Sequence, residues 1–158
     1  MRKITIFILL ATLLSACNTS KSNNSEKTIF VTITPLKQIV EQITCGDFTV
    51  EVLVPDGASP ETYEPTARQL TSLNDASYVF AIGLINFEHS LIANFDNDIV
   101  IDLSEGIETM KGSCSHGHHH HAHGIDPHTW TSPRALKQMV LTIERNIMKS
   151  YPDSAKYS

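Results

Sequence analysis

The sequence predicts an α/β domain: a parallel four-stranded sheet flanked by helices. From Thr28 onward, short β-branched and aromatic runs alternate with stretches of helical periodicity, the order that a sheet with helical crossovers requires. The run Ser77-Tyr-Val-Phe-Ala-Ile82 is almost continuously apolar, as a strand covered on both faces by helices must be. The runs are also punctuated by turn residues: Pro35, then Pro55-Asp56-Gly57, then Gly83.

Before the first strand lies an export segment. Met1-Arg2-Lys3 is positively charged and Ile4–Leu14 is apolar, but too short to span a bilayer as a helix. Residues 1–16 therefore read as a signal peptide. Leu14-Ser15-Ala16-Cys17 resembles a bacterial lipobox, which implies cleavage before Cys17 and acylation of its sulfur and new amino group. Residues 17–27 then form a lipidated cysteine and a polar, Ser- and Asn-rich tether. More than one acyl chain is what makes such an anchor stable. The expected location is the bacterial cell envelope, in the periplasm or on the cell surface.

Thr28–Thr34 is the first expected strand, and Pro35 opens a helix. Leu36, Ile39, Val40 and Ile43 recur at helical spacing, and Gly46 closes that helix. Phe48–Val54 is the second strand and Ala67–Ala76 the next helix. After the third strand come a short helix over Phe87–Phe95 and a fourth strand at Asp98–Asp102. Ser132-Pro133 starts the last helix, whose apolar face is Leu136, Met139, Val140, Ile143 and Ile147.

The chain has 12 Lys and Arg against 17 Asp and Glu, a net charge of −5. Losing residues 1–16 removes Arg2 and Lys3 and no acid, which moves the charge to −7. An acidic chain argues against nucleic acid as a partner. In an oxidising compartment Cys45 and Cys114 are free to pair, but Cys114 beside His116 serves equally well as a soft metal ligand.

Seven of the eight histidines fall between Cys114 and Trp130. Imidazole suits zinc, copper, nickel and iron. His116, His118, His119, His120, His121 and His123 are separated only by Gly and Ala, so the 114–124 tract reads as a metal-collecting loop outside the core. His128 follows Asp126-Pro127 and precedes Trp130, residues that fix a backbone, and it reads as a placed ligand. Ligands on a parallel sheet bind beyond the carboxyl ends of the strands. The loop after strand four carries His128, so the loop after strand two, Pro55–Pro65, should carry its partners. Its acids are Asp56, Glu61 and Glu64, and spacing alone does not choose between Glu61 and Glu64.

Three ordered motifs then carry a family resemblance. Leu53-Val-Pro-Asp-Gly-Ala-Ser-Pro-Glu-Thr-Tyr-Glu-Pro-Thr66, Asn74–Gly83 followed by Phe87-Glu88, and Gly124-Ile-Asp-Pro-His-Thr-Trp-Thr-Ser-Pro133 resemble the zinc and manganese solute-binding proteins of bacterial metal ABC importers. A His-rich loop before the third motif is typical of the zinc branch. The resemblance implies two α/β lobes joined by a long helix, with metal held between them and passed to a membrane permease. On this chain it implies an amino-terminal lobe over 28–131 and the start of the interlobe helix over 132–158. It makes His128 a metal ligand and puts Glu61 where most members place a histidine. A carboxylate is a legitimate zinc ligand, though a harder one that leans toward manganese.

The expected function is capture of Zn(II), with Mn(II) as the alternative metal, for an ABC importer permease by a lipid-anchored monomer that is not an enzyme. After the signal peptide about 140 residues remain, enough for one domain but not two. The resemblance implies a second lobe with two further ligands beyond these residues, and the sequence leaves open whether the chain is a truncated form, a separate amino-terminal half or a scavenging module. The alternative is a His-rich zinc-scavenging or storage lipoprotein, or an adhesin-like one, without a transport role. A zinc hydrolase is less favoured, because the sequence has no His-Glu-x-x-His pair, nucleophile elbow or phosphate loop. Since protons compete with metal for imidazole, capture should weaken below about pH 6.5.

Overall fold

The structure is a computed structural model and describes residues 27–109 and 125–154. The signal peptide, Cys17, the 114–124 tract with His116, His118, His119, His120, His121 and His123, and the last four residues lie outside the described residues.

Four strands form one parallel sheet: β1 (Thr28–Val31), β2 (Thr49–Val52), β3 (Tyr78–Ala81) and β4 (Val100–Asp102), in the order β2-β1-β3-β4. The inner pair carries the core. Every residue of β3 is buried, and Ile29, Val31, Val79 and Phe80 are at or near zero exposure. The continuous apolar run at Ser77–Ile82 has this cause: helices cover both of its faces.

The helices are α1 (Thr34–Thr44), α2 (Ala67–Leu73), α3 (Asn86–Asn94) and α4 (Pro133–Ser150). Proline opens α1, and Cys45 (φ 52°) and Gly46 (φ 84°) close it in left-handed geometry. Ser132 stands at the amino-terminal cap of α4 and Pro133 follows at its first turn. Ala135, Met139, Ile143 and Ile147 repeat every four residues and are buried, each large side chain contributing roughly 1.5–3 kcal/mol. The carboxyl end of α4 is tied to the sheet: the Tyr78 hydroxyl lies 2.6 Å from Asn146 O and 2.6 Å from Ser150 Oγ. Tyr151 packs edge-on against Phe48 at 5.1 Å. Helix α4 ends at Ser150 and a 3₁₀ turn follows at Pro152–Ser154, where proline has no N–H to continue the ladder.

The strand order reverses direction after β2, so the carboxyl ends of β1 and β3 form a switch point. There Gly83 (φ 81°) crosses so close to the Asp102 carboxylate that a Cβ would collide with it. Asp102 Oδ1 in turn accepts from the backbone N–H and hydroxyl of Ser104, both at 2.7 Å, which shapes the exit from β4.

Candidate metal site

The loop after β2 is braced residue by residue. Leu53 and Val54 extend the ladder by donating to Val31 O and Thr32 O, and Ala58 N–H then closes a turn onto Pro55 O at 3.1 Å. Thr34 Oγ1 donates to Asp56 Oδ1 at 3.3 Å, joining that turn to the start of α1. A 3₁₀ turn at Pro60–Thr62 carries Glu61.

Gln69 holds the far side of this loop. Its Oε1 accepts from the Thr66 backbone N–H at 3.0 Å and the Tyr63 hydroxyl at 2.8 Å, while its Nε2 donates to Leu53 O at 2.9 Å. Thr66 returns the contact by accepting from Gln69 N–H, a reciprocal cap on α2. The Tyr63 ring meets Phe87 edge-on at 5.5 Å. Glu61 and Glu64 are both exposed, and both line a cleft of about 550 Å³ whose apolar walls include Leu70, Phe87 and Phe95. The geometry shares the cleft between the two acids, as the spacing did.

His128 is held differently. Asp126 Oδ1 accepts from the His128 backbone N–H at 2.9 Å and lies 2.7 Å from its Nδ1. An ionised carboxylate only accepts, so Nδ1 bears the proton and Nε2 presents its lone pair outward. The backbone N–H of His128, then its imidazole, hold the Asp126 carboxyl below the ordinary carboxylate range. Trp130 flanks the ring at 5.1 Å, and His128 O accepts from the Thr131 N–H and hydroxyl at 3.1 and 2.7 Å, which rigidifies the 3₁₀ turn at Thr129–Thr131. The His128 side chain is 58% exposed. A carboxylate orienting one ring nitrogen while the other faces out is the arrangement of a metal-ligating histidine.

Under the switch point sits Glu88, with no exposure. Its carboxylate accepts from Ile82 N–H at 2.9 Å and Ile85 N–H at 3.0 Å. Burial pushes its pKa up, against the pull of those backbone bonds. It locks the β3–α3 connection from within and is closed to solvent.

The strand order places the two expected ligands far apart in the sheet. Glu61 follows β2 and His128 precedes α4 after β4, the two outer strands, with β1 and β3 between them. At the usual strand spacing those edges are about 14 Å apart, so the loops have to lean inward to share an ion. Among the described residues no group of three or more His, Cys, Asp or Glu side chains is gathered to hold a metal. Cys45 is exposed, with its thiol donating to Gln42 O at 3.2 Å, and Cys114 lies outside the described residues. Sequence reasoning assigned Asp126 to turn formation and missed its hold on Nδ1. The signal was the i, i+2 spacing of Asp126 and His128. Gln69 had a signal in part, as the third residue after Thr66 in a Thr-x-x-Gln capping pattern, whereas its bond to Leu53 O, from a separate part of the chain, had none.

Residues 29–158 match the family model described as zinc-uptake complex component A, periplasmic, and residues 1–18 match a prokaryotic membrane lipoprotein lipid attachment site. The chain is 30% identical over 166 residues to the zinc-binding lipoprotein AdcA of Streptococcus pneumoniae, covering 97% of this chain and 33% of that one. It is 24% identical to the manganese-binding lipoprotein MntA of Halalkalibacterium halodurans, covering 96% of this chain and 50% of that one. A crystal structure of a ZnuA deletion mutant with zinc bound superposes with a TM-score of 0.66 at 34% identity, over 80% of this chain and 48% of the other. The chain thus spans between a third and a half of the length of the relatives it matches. The lipid attachment site marks it as exported and anchored to the cell envelope.

Proposed function

The chain belongs to the periplasmic zinc-uptake component A family, and from that membership we propose that it captures Zn(II) outside the cytoplasmic membrane for delivery to the permease of a metal ABC importer. The observation that carries this reading is the Asp126–His128 pair, which fixes the tautomer of an exposed ring and leaves Nε2 the nitrogen with a lone pair. His128 is the principal ligand and Glu61 the second, on a turn braced by Gln69 and Tyr63. The histidines at 116, 118, 119, 120, 121 and 123 raise local zinc and pass it on. The chain acts by binding and release, as a monomer, with no bond-breaking step. Its lobe spans residues 28–131, and α4, which follows that lobe, runs over Pro133–Ser150.

Zinc titration calorimetry on the full chain tests this, alongside His128→Ala and a deletion of residues 116–123. The expected result is one tight site lost in His128→Ala and kept, at reduced capture from dilute zinc, in the deletion. Weak sites untouched by His128→Ala and abolished by the deletion would overturn the assignment of His128 and leave a scavenging loop. Manganese is the second reading, favoured by the carboxylate at Glu61, and titration of the same proteins with Mn(II) ranks the two metals.

A further inference from the structure

The outward face of α4 holds most of the Lys and Arg among the described residues. Seven lysines and arginines are described, and four of them, Arg134, Lys137, Arg145 and Lys149, line a single groove of about 950 Å³ between α4 and the free edge of β4. On the helix, positions 134, 137, 141, 145 and 148 follow one another by three or four residues and form one stripe, turned away from buried Ala135, Met139, Ile143 and Ile147. Leu141 stands between the cations of that stripe and Met148 at its end, two of the three large apolar side chains exposed among the described residues, at 46% and 42%. The chain as a whole carries −5, and these four cations are gathered on one face of it.

Carboxylates border these cations, and Glu144 shares their helix. Lys149 lies 3.3 Å from Asp98 and Arg134 4.0 Å from Glu108, both pairs highly exposed and therefore easily exchanged for another anion. Asp102 and Glu105 border the groove on the sheet side, with Asp102 engaged by Ser104. Lys137 and Arg145 have no carboxylate within ion-pair distance among the described residues.

We propose that the Arg134–Lys149 face of α4 lies against the anionic lipid surface to which the chain is anchored. Cations flanking exposed Leu141 and Met148 match an interface in which ammonium and guanidinium groups meet phosphates and apolar side chains enter the headgroup region. The anchor delivers this face to its partner. Lys27 Nζ sits 4.4 Å from the Tyr151 ring, so the chain leaves the fold toward the lipid attachment site beside the carboxyl end of α4. Nine residues separate Cys17 from Lys27, and the ten peptide units between them reach at most about 35 Å, longer than the roughly 27 Å of an 18-residue helix. The tether therefore permits the helix to lie flat. In this orientation the Thr129–Thr131 turn and His128 lie at the opposite, amino-terminal end of α4. The inference rests on the anchor and the surface, and not on which metal binds.

The test uses the acylated full chain in vesicles of phosphatidylcholine alone or mixed equally with phosphatidylglycerol. Lysine acetylation rates are read by mass spectrometry. Each basic residue at an anionic surface strengthens attachment roughly fivefold. Lys137 and Lys149 should therefore be acetylated at least about fivefold more slowly on the anionic vesicles, while Lys37, outside the groove, keeps its rate. High salt should restore both rates, and Lys137→Glu/Arg145→Glu, which substitutes exposed positions only, should abolish the protection of Lys149 without altering zinc uptake. Equal rates on both vesicle types, or equal protection of Lys37, would overturn the proposal. So would protection that appears only when an acidic protein is added, which would make the partner a protein.

Discussion

At the scale of single residues, the decisive pair is Asp126 and His128. One carboxylate oxygen takes both the backbone N–H and Nδ1 of the histidine, so losing it frees the ring and removes the tautomeric bias. Partners of this kind are worth about 10–100-fold in metal affinity. Asp126→Asn should weaken zinc binding by about that factor while leaving stoichiometry unchanged, as calorimetry would read directly. The pair also has a pH signature. The Asp126 carboxyl is held below its ordinary value, so its contribution to stability is present above that value and is lost as pH falls through the depressed one. Asp126→Asn should flatten this acid limb of an unfolding curve. The aspartate was legible in the sequence as a turn former. Its second role was not, because a side chain closing back on its own loop depends on torsion angles that composition does not give.

At the scale of elements, Glu88 joins the end of β3 to the first turn of α3 by accepting from two backbone N–H groups. Glutamine offers one acceptor where the carboxyl offers two, so Glu88→Gln should leave a buried N–H unpaired at a cost of about 1–3 kcal/mol. The sign of the pH dependence follows from burial. A carboxyl whose folded pKa is raised contributes stability that is complete below its ordinary value of 4.5 and is lost as pH rises through the raised value. The gap between wild type and Glu88→Gln should therefore shrink from acid to neutral pH in urea unfolding. A gap independent of pH would mean that the carboxyl titrates alike in the folded and unfolded chain, against the raised direction. Element boundaries were readable wherever turn chemistry was strong, as at Pro35 and Pro133. The 3₁₀ turns at Pro60–Thr62 and Thr129–Thr131 were not, because three residues are too short for any period to show.

At the scale of the whole molecule, strand order sets the problem that the site must solve. Loops after the outer strands β2 and β4 carry Glu61 and His128, and one shared ion requires them to converge over β1 and β3. A double-mutant cycle on zinc affinity, Glu61→Ala against His128→Ala, checks this. Shared coordination should give an interaction energy above about 0.5 kcal/mol, whereas additive losses would mean that the two side chains serve different ions. The same order leaves the edge of β4 open beside α4, where the basic groove lies. Four cations scattered over sixteen positions of sequence became one surface only once the helix wound them into a stripe.

The sequence by itself determined the α/β class, the four strands and four helices, the family, the lipid anchor and the identity of His128 as the residue to examine. Those properties are local, written in periodicity, turn residues and contiguous motifs. Only the tertiary structure decided the strand order and the distance it sets between the Glu61 and His128 loops. It also decided the hold of Asp126 on Nδ1, the burial of Glu88 and the grouping of Arg134, Lys137, Arg145 and Lys149 on one groove. Each of these depends on how elements pack and how chain segments turn in space, and linear spacing carries no record of that.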